Sequence, residues 1–349
     1  MTHAARRVFS AATASVGSED EEPTGSDVDS NWSKYGDIPD ILDEYDRALA
    51  LVDGSESWNL EQRKVHQLIY MRGAHPMIPS IWKMGLKLWG LDQPQLDHIF
   101  TPVGSQKRVV ISSSSDNEVP AVKALESLFI LSQRVNDYEE TGEQHLMEPF
   151  IVKTISQYIK WSLQDAQIHE ATPPLVLVKG YPPDSRIPDE ASEMSVDHDT
   201  DDSSEDEGNV DDTDKKATER FIRFLTGSLN RKLRNMGQVW RDLLWDPNYR
   251  RPGESTATGR YLAEPPTLYA FAVVQHKVMV VSHDSSQPDN PIVSIDSISL
   301  NDRGMWLWNA LSIAIPINVA KTRTRKLQGL LVRKGLLSEV STSSDDPDL

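Results

Sequence analysis

The sequence predicts an α+β fold that is predominantly α, and three observations predict it. Apolar residues recur every three or four positions through residues 37–170 and again from Phe221 to Leu244, the spacing of one helix face. From Thr267 to Leu300 the pattern changes to short β-branched and aromatic runs separated by polar turns. Between these regions, residues 182–214 lose almost all apolar content. The organisation expected is a helical N-terminal domain (37–180), an acidic disordered linker (181–214) and a C-terminal helix–three-stranded meander–helix domain (215–337). Disordered tails flank it at 1–36 and 338–349.

Each element has its own warrant. Residues 1–36 and the linker carry too few apolar side chains to offset the entropy of ordering. Order begins at Asp37, where Pro39 suits a first helical turn and Ile41, Tyr45, Ala48, Leu49 and Val52 share a face. Asn59 followed by Gln62 has the spacing of a capping box, opening a helix with Val65, Leu68, Ile69 and Arg72 on one stripe. Pro76 and Pro79 force an extended entry, after which Ile81, Met84 and Leu88 predict a short helix stopped at Gly90. Val122, Leu125, Phe129 and Val135 mark a further helix, and Ile151, Ile155, Tyr158, Ile159 and Ser162 another. Nothing repeats with a solenoid period.

Leu175–Val178 reads as a short strand or extended segment. Phe221, Leu225, Leu229, Leu233, Met236, Trp240 and Leu244 define an amphipathic helix of about 25–30 residues, weakened by Gly227 and Gly237. "TLYAFAVV" and "VMVV" form a hairpin across the tight connection Gln275–Lys277, and Pro288–Asn290 turns into a third strand. The apolar segment 303–320 then covers the sheet. Its core, Met305–Ala320, contains Asn309, Ser312, Pro316 and Asn318 and is shorter than the roughly 20 apolar residues a membrane span needs, so it reads as a buried helix.

The formal charge of −17 is segregated along the chain. Residues 184–214 hold 14 acids against one Arg, whereas residues 215–349 hold 19 Lys and Arg against 13 acids. That asymmetry marks interaction surfaces rather than fold. With no cysteine in the chain, disulfide scaffolds, Cys-based zinc or iron–sulfur sites and thiol nucleophiles are excluded. "MTHAARRVFSAATASV" lacks the apolar stretch of a signal peptide; its composition is compatible with a mitochondrial presequence, but four acids follow at Glu19–Glu22 and a disordered tail is the preferred reading.

Catalytic signatures are sparse. No glycine-rich phosphate loop, no G-x-S-x-G and no H-E-x-x-H occurs, and the nine histidines are scattered. A metal-dependent nuclease arrangement is conceivable from Gln275, His276, Lys277, Asp284, Asp296 and Glu219, the acids holding Mg²⁺ and the Lys aiding the water. Three polar residues between apolar strands are also what a hairpin turn looks like, and that reading stands ahead. Basic clusters are the stronger signal. Arg220, Arg223, Arg231, Arg234 and Arg241 punctuate one helix, and Lys321, Arg323, Arg325 and Lys326 form a second group, extended by Arg333 and Lys334. With Tyr249 and Tyr261 nearby, such faces suit phosphate backbones, although every amphipathic helix also needs a solvated face.

The acidic run reads as a spacer first; the alternatives are a mask over the basic helix and a dock for basic proteins such as histones. Ser203 and Ser204 each have an acid three residues on and suit an acid-directed kinase. Arg72, His75 and Trp82, in the proline-constrained loop, are candidates for a peptide pocket. The reading taken from the sequence is a non-catalytic, intracellular and nuclear adaptor or subunit of a multiprotein assembly, with protein partners, no cofactor, no metal and no membrane. Cytoplasm is the alternative compartment. Nucleic-acid binding with an autoinhibitory acidic linker is the second reading, and the nuclease-like domain the third.

Overall fold

The computed structural model describes residues 38–74, 76–86, 99–102, 109–115, 118–181, 210–248 and 259–337, with backbone alone at 38–40 and 210–217. Its elements run α1 (Ile38–Leu49), α2 (Leu60–Tyr70), α3 (Lys83–Leu86), α4 (Glu118–Glu140), α5 (Met147–Asp165), β1 (Val176–Gly180), α6 (Val210–Leu244), β2 (Trp245–Asp246), β3 (Arg260–Tyr261), β4 (Thr267–Val274), β5 (Lys277–Asp284), β6 (Val293–Ser299) and α7 (Trp306–Arg333). The protein is α+β and mostly helical, as the periodicities predict.

Helix α2 opens on the expected cap. The Asn59 side chain accepts from the Gln62 amide, and the Gln62 side chain accepts from the Asn59 amide. Both side chains also reach into the sheet: Gln62 Nε2 donates to Ser282 at 3.0 Å, and Asn59 Nδ2 to Thr267 at 3.0 Å. One local motif therefore also fixes where α2 docks. The loop that follows departs from the expected pattern. Helix α3 is described over Lys83–Leu86, with the expected continuation through Leu88 to Gly90 outside the described residues, and Ile81 and Met84 face outward while Trp82 and Leu86 are buried. Trp82 prevails because its indole fills the core and its Nε1–H still finds a partner, the Glu118 carboxylate at the start of α4.

The sheet has four strands in the order β1-β4-β5-β6. The meander β4-β5-β6 is antiparallel, with Gln275 and His276 as a two-residue turn between β4 and β5. Gln275 takes φ +52, as the first position of a primed turn requires. Added to the expected three strands is β1, which pairs parallel with β4 from Val176↔Tyr269 to Gly180↔Val273. The sequence leaves open whether its two halves pack together; this pairing joins them. Buried residues from Trp58 to Leu331 belong to one hydrophobic cluster.

Strand alternation sorts the layers. Thr267, Tyr269 and Ser282 face α2 and α7, while Leu268 and His283 face α6. Both faces are covered, which is why residues 267–273 of β4 are buried without alternation. Helix α7 starts later and runs further than the segment 303–320, continuing through the basic cluster to Arg333. Among the described residues no helix is long and apolar enough to cross a membrane. Helix α6 is 35 residues long and begins at Val210, so the last five positions assigned to the linker are helical. The rest of the expected linker after Tyr181, and both expected tails, lie outside the described residues.

Candidate functional site

Helix α6 carries the first of the two basic groups singled out in the sequence. At 100° per residue, Arg220, Arg223, Arg231, Arg234 and Arg241 fall within an arc of about 80°. The arc is not uniform in use. Arg220, Arg223 and Arg231 are exposed, whereas Arg234 donates to the Asp289 carbonyl at 3.3 Å and Arg241 to the Ser285 carbonyl at 2.8 Å. The last two arginines thus tie α6 to the β5–β6 connection. They flank Gly237, where a Cβ would sit 3.0 Å from Ser285 Cβ and 3.6 Å from Leu268. This is a close approach of helix to sheet, and His283 lies beneath it. The His283 ring is fully buried, and among the described residues neither nitrogen has a hydrogen-bond partner. Burial and the Arg234 charge hold its pKa below the usual histidine value, Asp284 opposing and Arg241 reinforcing.

The second basic group is largely internal. Lys321 is buried: its Nζ lies 3.2 Å from Asp165, and the two side chains are 4% and 2% exposed. Asp165 also accepts from Ser113 Oγ at 2.6 Å, the Ser114 amide at 2.7 Å and Ser115 Oγ at 3.1 Å, and Lys321 donates to the Ser112 carbonyl. Burial alone would raise the Asp165 carboxyl, but these donors and Lys321 outweigh it and bring it below the usual carboxylate value. Arg323 reaches Glu61 at 3.4 Å and the Glu264 carbonyl at 2.9 Å. Arg325, Lys326, Arg333 and Lys334 are exposed. Lys321 is therefore removed from the nucleic-acid-facing set: its position on α7 continues the buried stripe through Ile317, Thr324 and Leu331.

A cluster the sequence reading did not single out lies where β1 meets α6. Lys179 and Tyr181 are two apart and share a face; Nζ sits 4.5 Å above the Tyr181 ring and donates to Ser228 Oγ at 2.9 Å. Phe224 meets the Tyr181 ring edge-on at 6.4 Å. Burial, then Lys232, then Arg231 hold the Lys179 pKa below its usual value. The signal was present as the cation and aromatic ending "LVLVKGY", but the partner helix lies beyond a long intervening segment.

The remaining candidates separate. Lys277 and Asp284 are the first and last residues of β5, roughly 23 Å apart at the usual strand rise. Gln275 and His276 turn beside Lys277, Asp296 pairs with Val280 in mid-strand, and Glu219 lies exposed on α6. Asp284 accepts from the Ser286 amide at 2.9 Å and Ser286 Oγ at 2.7 Å, which makes it a turn former. Among the described residues no three His, Asp or Glu side chains are placed to hold a metal ion. In the expected peptide pocket Trp82 is buried, Arg72 folds back on the Ile69 carbonyl, and His75 lies outside the described residues, as do Tyr249, Ser203 and Ser204. Tyr261 packs edge-on against Trp245 at 5.1 Å, with both rings partly exposed at the end of α6.

Compared with known proteins, the chain matches no family model, no curated protein and no solved structure.

Proposed function

We propose that the protein is a non-catalytic interaction module, a nuclear adaptor or subunit of a larger assembly, and that the N-terminal part of α6 is its docking element. One observation carries the reading. Helix α6 spans about 52 Å, twice the roughly 26 Å of the eight-residue strands beneath it. Among its described side chains the first buried apolar one is Leu225. Ahead of that, Thr218, Glu219, Arg220, Ile222 and Arg223 are exposed, and Phe221 and Phe224 only partly covered. A helix extended past its own core, with a 56% exposed Ile222 between two arginines, suits a partner that buries an apolar strip rimmed by acids.

The test is the mass of the native species. In extract of cells that make it, the protein is expected to elute well above the 39.2 kDa of its chain, and Arg220→Glu/Ile222→Glu/Arg223→Glu to elute as a folded monomer. Recovery of the unaltered protein as an isolated monomer would overturn the reading.

A second reading, binding of single-stranded nucleic acid, is supported by the arginine arc ending near the partly exposed Trp245–Tyr261 pair, since such ligands use charge and aromatic stacking together. It requires binding that weakens steeply with salt and collapses in Arg220→Glu/Arg223→Glu/Arg231→Glu. An unchanged salt slope in that variant would dispose of it.

A further inference from the structure

We propose that Lys179, Ser228, Arg231 and Lys232 form a binding site for a single phosphate group, at the edge of the sheet where β1 meets α6. The inference does not depend on the docking role of α6. Of these residues Arg231 alone belongs to the arginine arc.

In the sheet order β1 is an edge strand, and Lys179 lies near its end, opposite Ala272. Its side chain stands on the α6 face with that of Tyr181, while the neighbouring Gly180 faces the Glu148 carboxylate on the other side of the sheet. Glu148 is therefore turned away from the ammonium. The Tyr181 ring and Ser228 hydroxyl fix Nζ and use one of its three N–H groups.

Helix α6 supplies the rest by spacing. Arg231 and Lys232 lie three and four residues after Ser228, so they rise from the same side one turn further on. Both are exposed, and both act on Lys179 as like charges. Among the described residues no carboxylate forms an ion pair with any of the three cations. Other inward cations are neutralised by acids or capped by carbonyls: Lys321 meets Asp165 and Arg323 meets Glu61, while Arg234 and Arg241 donate to the Asp289 and Ser285 carbonyls. Lys179, Arg231 and Lys232, which no carboxylate pairs among the described residues, repel one another, and an anion among them turns that repulsion into attraction.

The donor set selects the anion. An ammonium, a second ammonium, a guanidinium fork and a hydroxyl match the tetrahedral array of oxygens around a phosphate's phosphorus better than the planar pair of a carboxylate. The Tyr181 and Phe224 rings wall one side and leave it apolar, which strengthens each charge-assisted bond.

The experiment uses the full chain and inorganic pyrophosphate. Amines are labelled with an acylating reagent, and the rate at each lysine is read by mass spectrometry, with chloride at matched ionic strength as reference. Pyrophosphate is expected to slow labelling of Lys179 about tenfold or more, leaving exposed Lys326 unchanged. By calorimetry Lys179→Met and the surface pair Arg231→Gln/Lys232→Gln should each weaken pyrophosphate binding about tenfold or more. A short oligothymidylate in place of pyrophosphate distinguishes the sources. Protection by both assigns the phosphate to a nucleic-acid backbone, and protection by pyrophosphate alone to a small phosphorylated compound. Labelling of Lys179 at the same rate with and without pyrophosphate, or unchanged affinity in the surface pair, would overturn the proposal.

Discussion

Replacing Lys321 by Met puts the reading of the second basic cluster to a quantitative test. The Lys321 and Asp165 side chains are 4% and 2% exposed, so removing one leaves the other buried without its counter-charge. Breaking such a pair typically costs about 3–5 kcal/mol. Asp165 keeps three donors, Ser113 at 2.6 Å, Ser114 at 2.7 Å and Ser115 at 3.1 Å, so the cost should lie near the lower end, about 3 kcal/mol. Met fills much of the space of the lysine stem, which keeps a cavity from adding to it. The assay is urea unfolding followed by tryptophan fluorescence at pH 7, with Asp165→Asn and the double variant alongside. The double variant carries no buried charge and should recover about 1 kcal/mol or more relative to the sum of the singles. The pH dependence has a definite sign. Because the folded Asp165 carboxyl sits below its usual value, its stabilisation is present above about pH 4 and is lost as pH falls through the folded pKa. A Lys321→Met cost under about 1 kcal/mol, or strict additivity in the double variant, would refute the argument and return Lys321 to the surface.

Three further outcomes follow from the packing. Gly227→Ala meets nothing within 4 Å and should stabilise by about 1 kcal/mol from helix propensity, read by thermal unfolding. Gly237→Ala should stabilise less or destabilise, because its Cβ would press on Ser285 at 3.0 Å where α6 lies against the sheet. His283 should make the protein acid-sensitive. Its folded pKa is depressed, so as pH falls below about 6.5 the unfolded chain takes up the proton first and stability drops; the difference between wild type and His283→Leu in urea midpoints at pH 7 and pH 5.5 isolates this residue from the other histidines.

Legibility in the sequence followed the range of each interaction. The Asn59–Gln62 box and the buried stripe of α6 were readable because each is written within a few residues. The tight connection after Val274 was readable for the same reason, although Lys277, counted with it in the sequence, is the first residue of β5. Strand β1 was ambiguous because its hydrogen-bonding partner, β4, lies about ninety residues on, and a five-residue run has no periodicity to settle the matter. Trp82 against Ile81 and Met84 was decided by the Glu118 carboxylate on another helix. Lys321 was misread for a different reason. Stopping the apolar helix at Ala320 made "KTRTRK" look like a separate basic patch, whereas extending the same period would have placed Lys321 and Thr324 on the buried side. Its partner Asp165, and the Lys179 cluster, depend on contacts between distant segments that spacing alone does not encode.

The exposed N-terminal part of α6 is the proposed docking element, and amide hydrogen exchange along that helix tests that role most directly. In the isolated protein the amides of residues 218–224 should exchange quickly and those around Leu229, Leu233 and Trp240 slowly, because the latter lie against the sheet. In the native assembly the first group should become protected while the second stays unchanged. Protection that appears on another surface while residues 218–224 exchange as before would contradict the account.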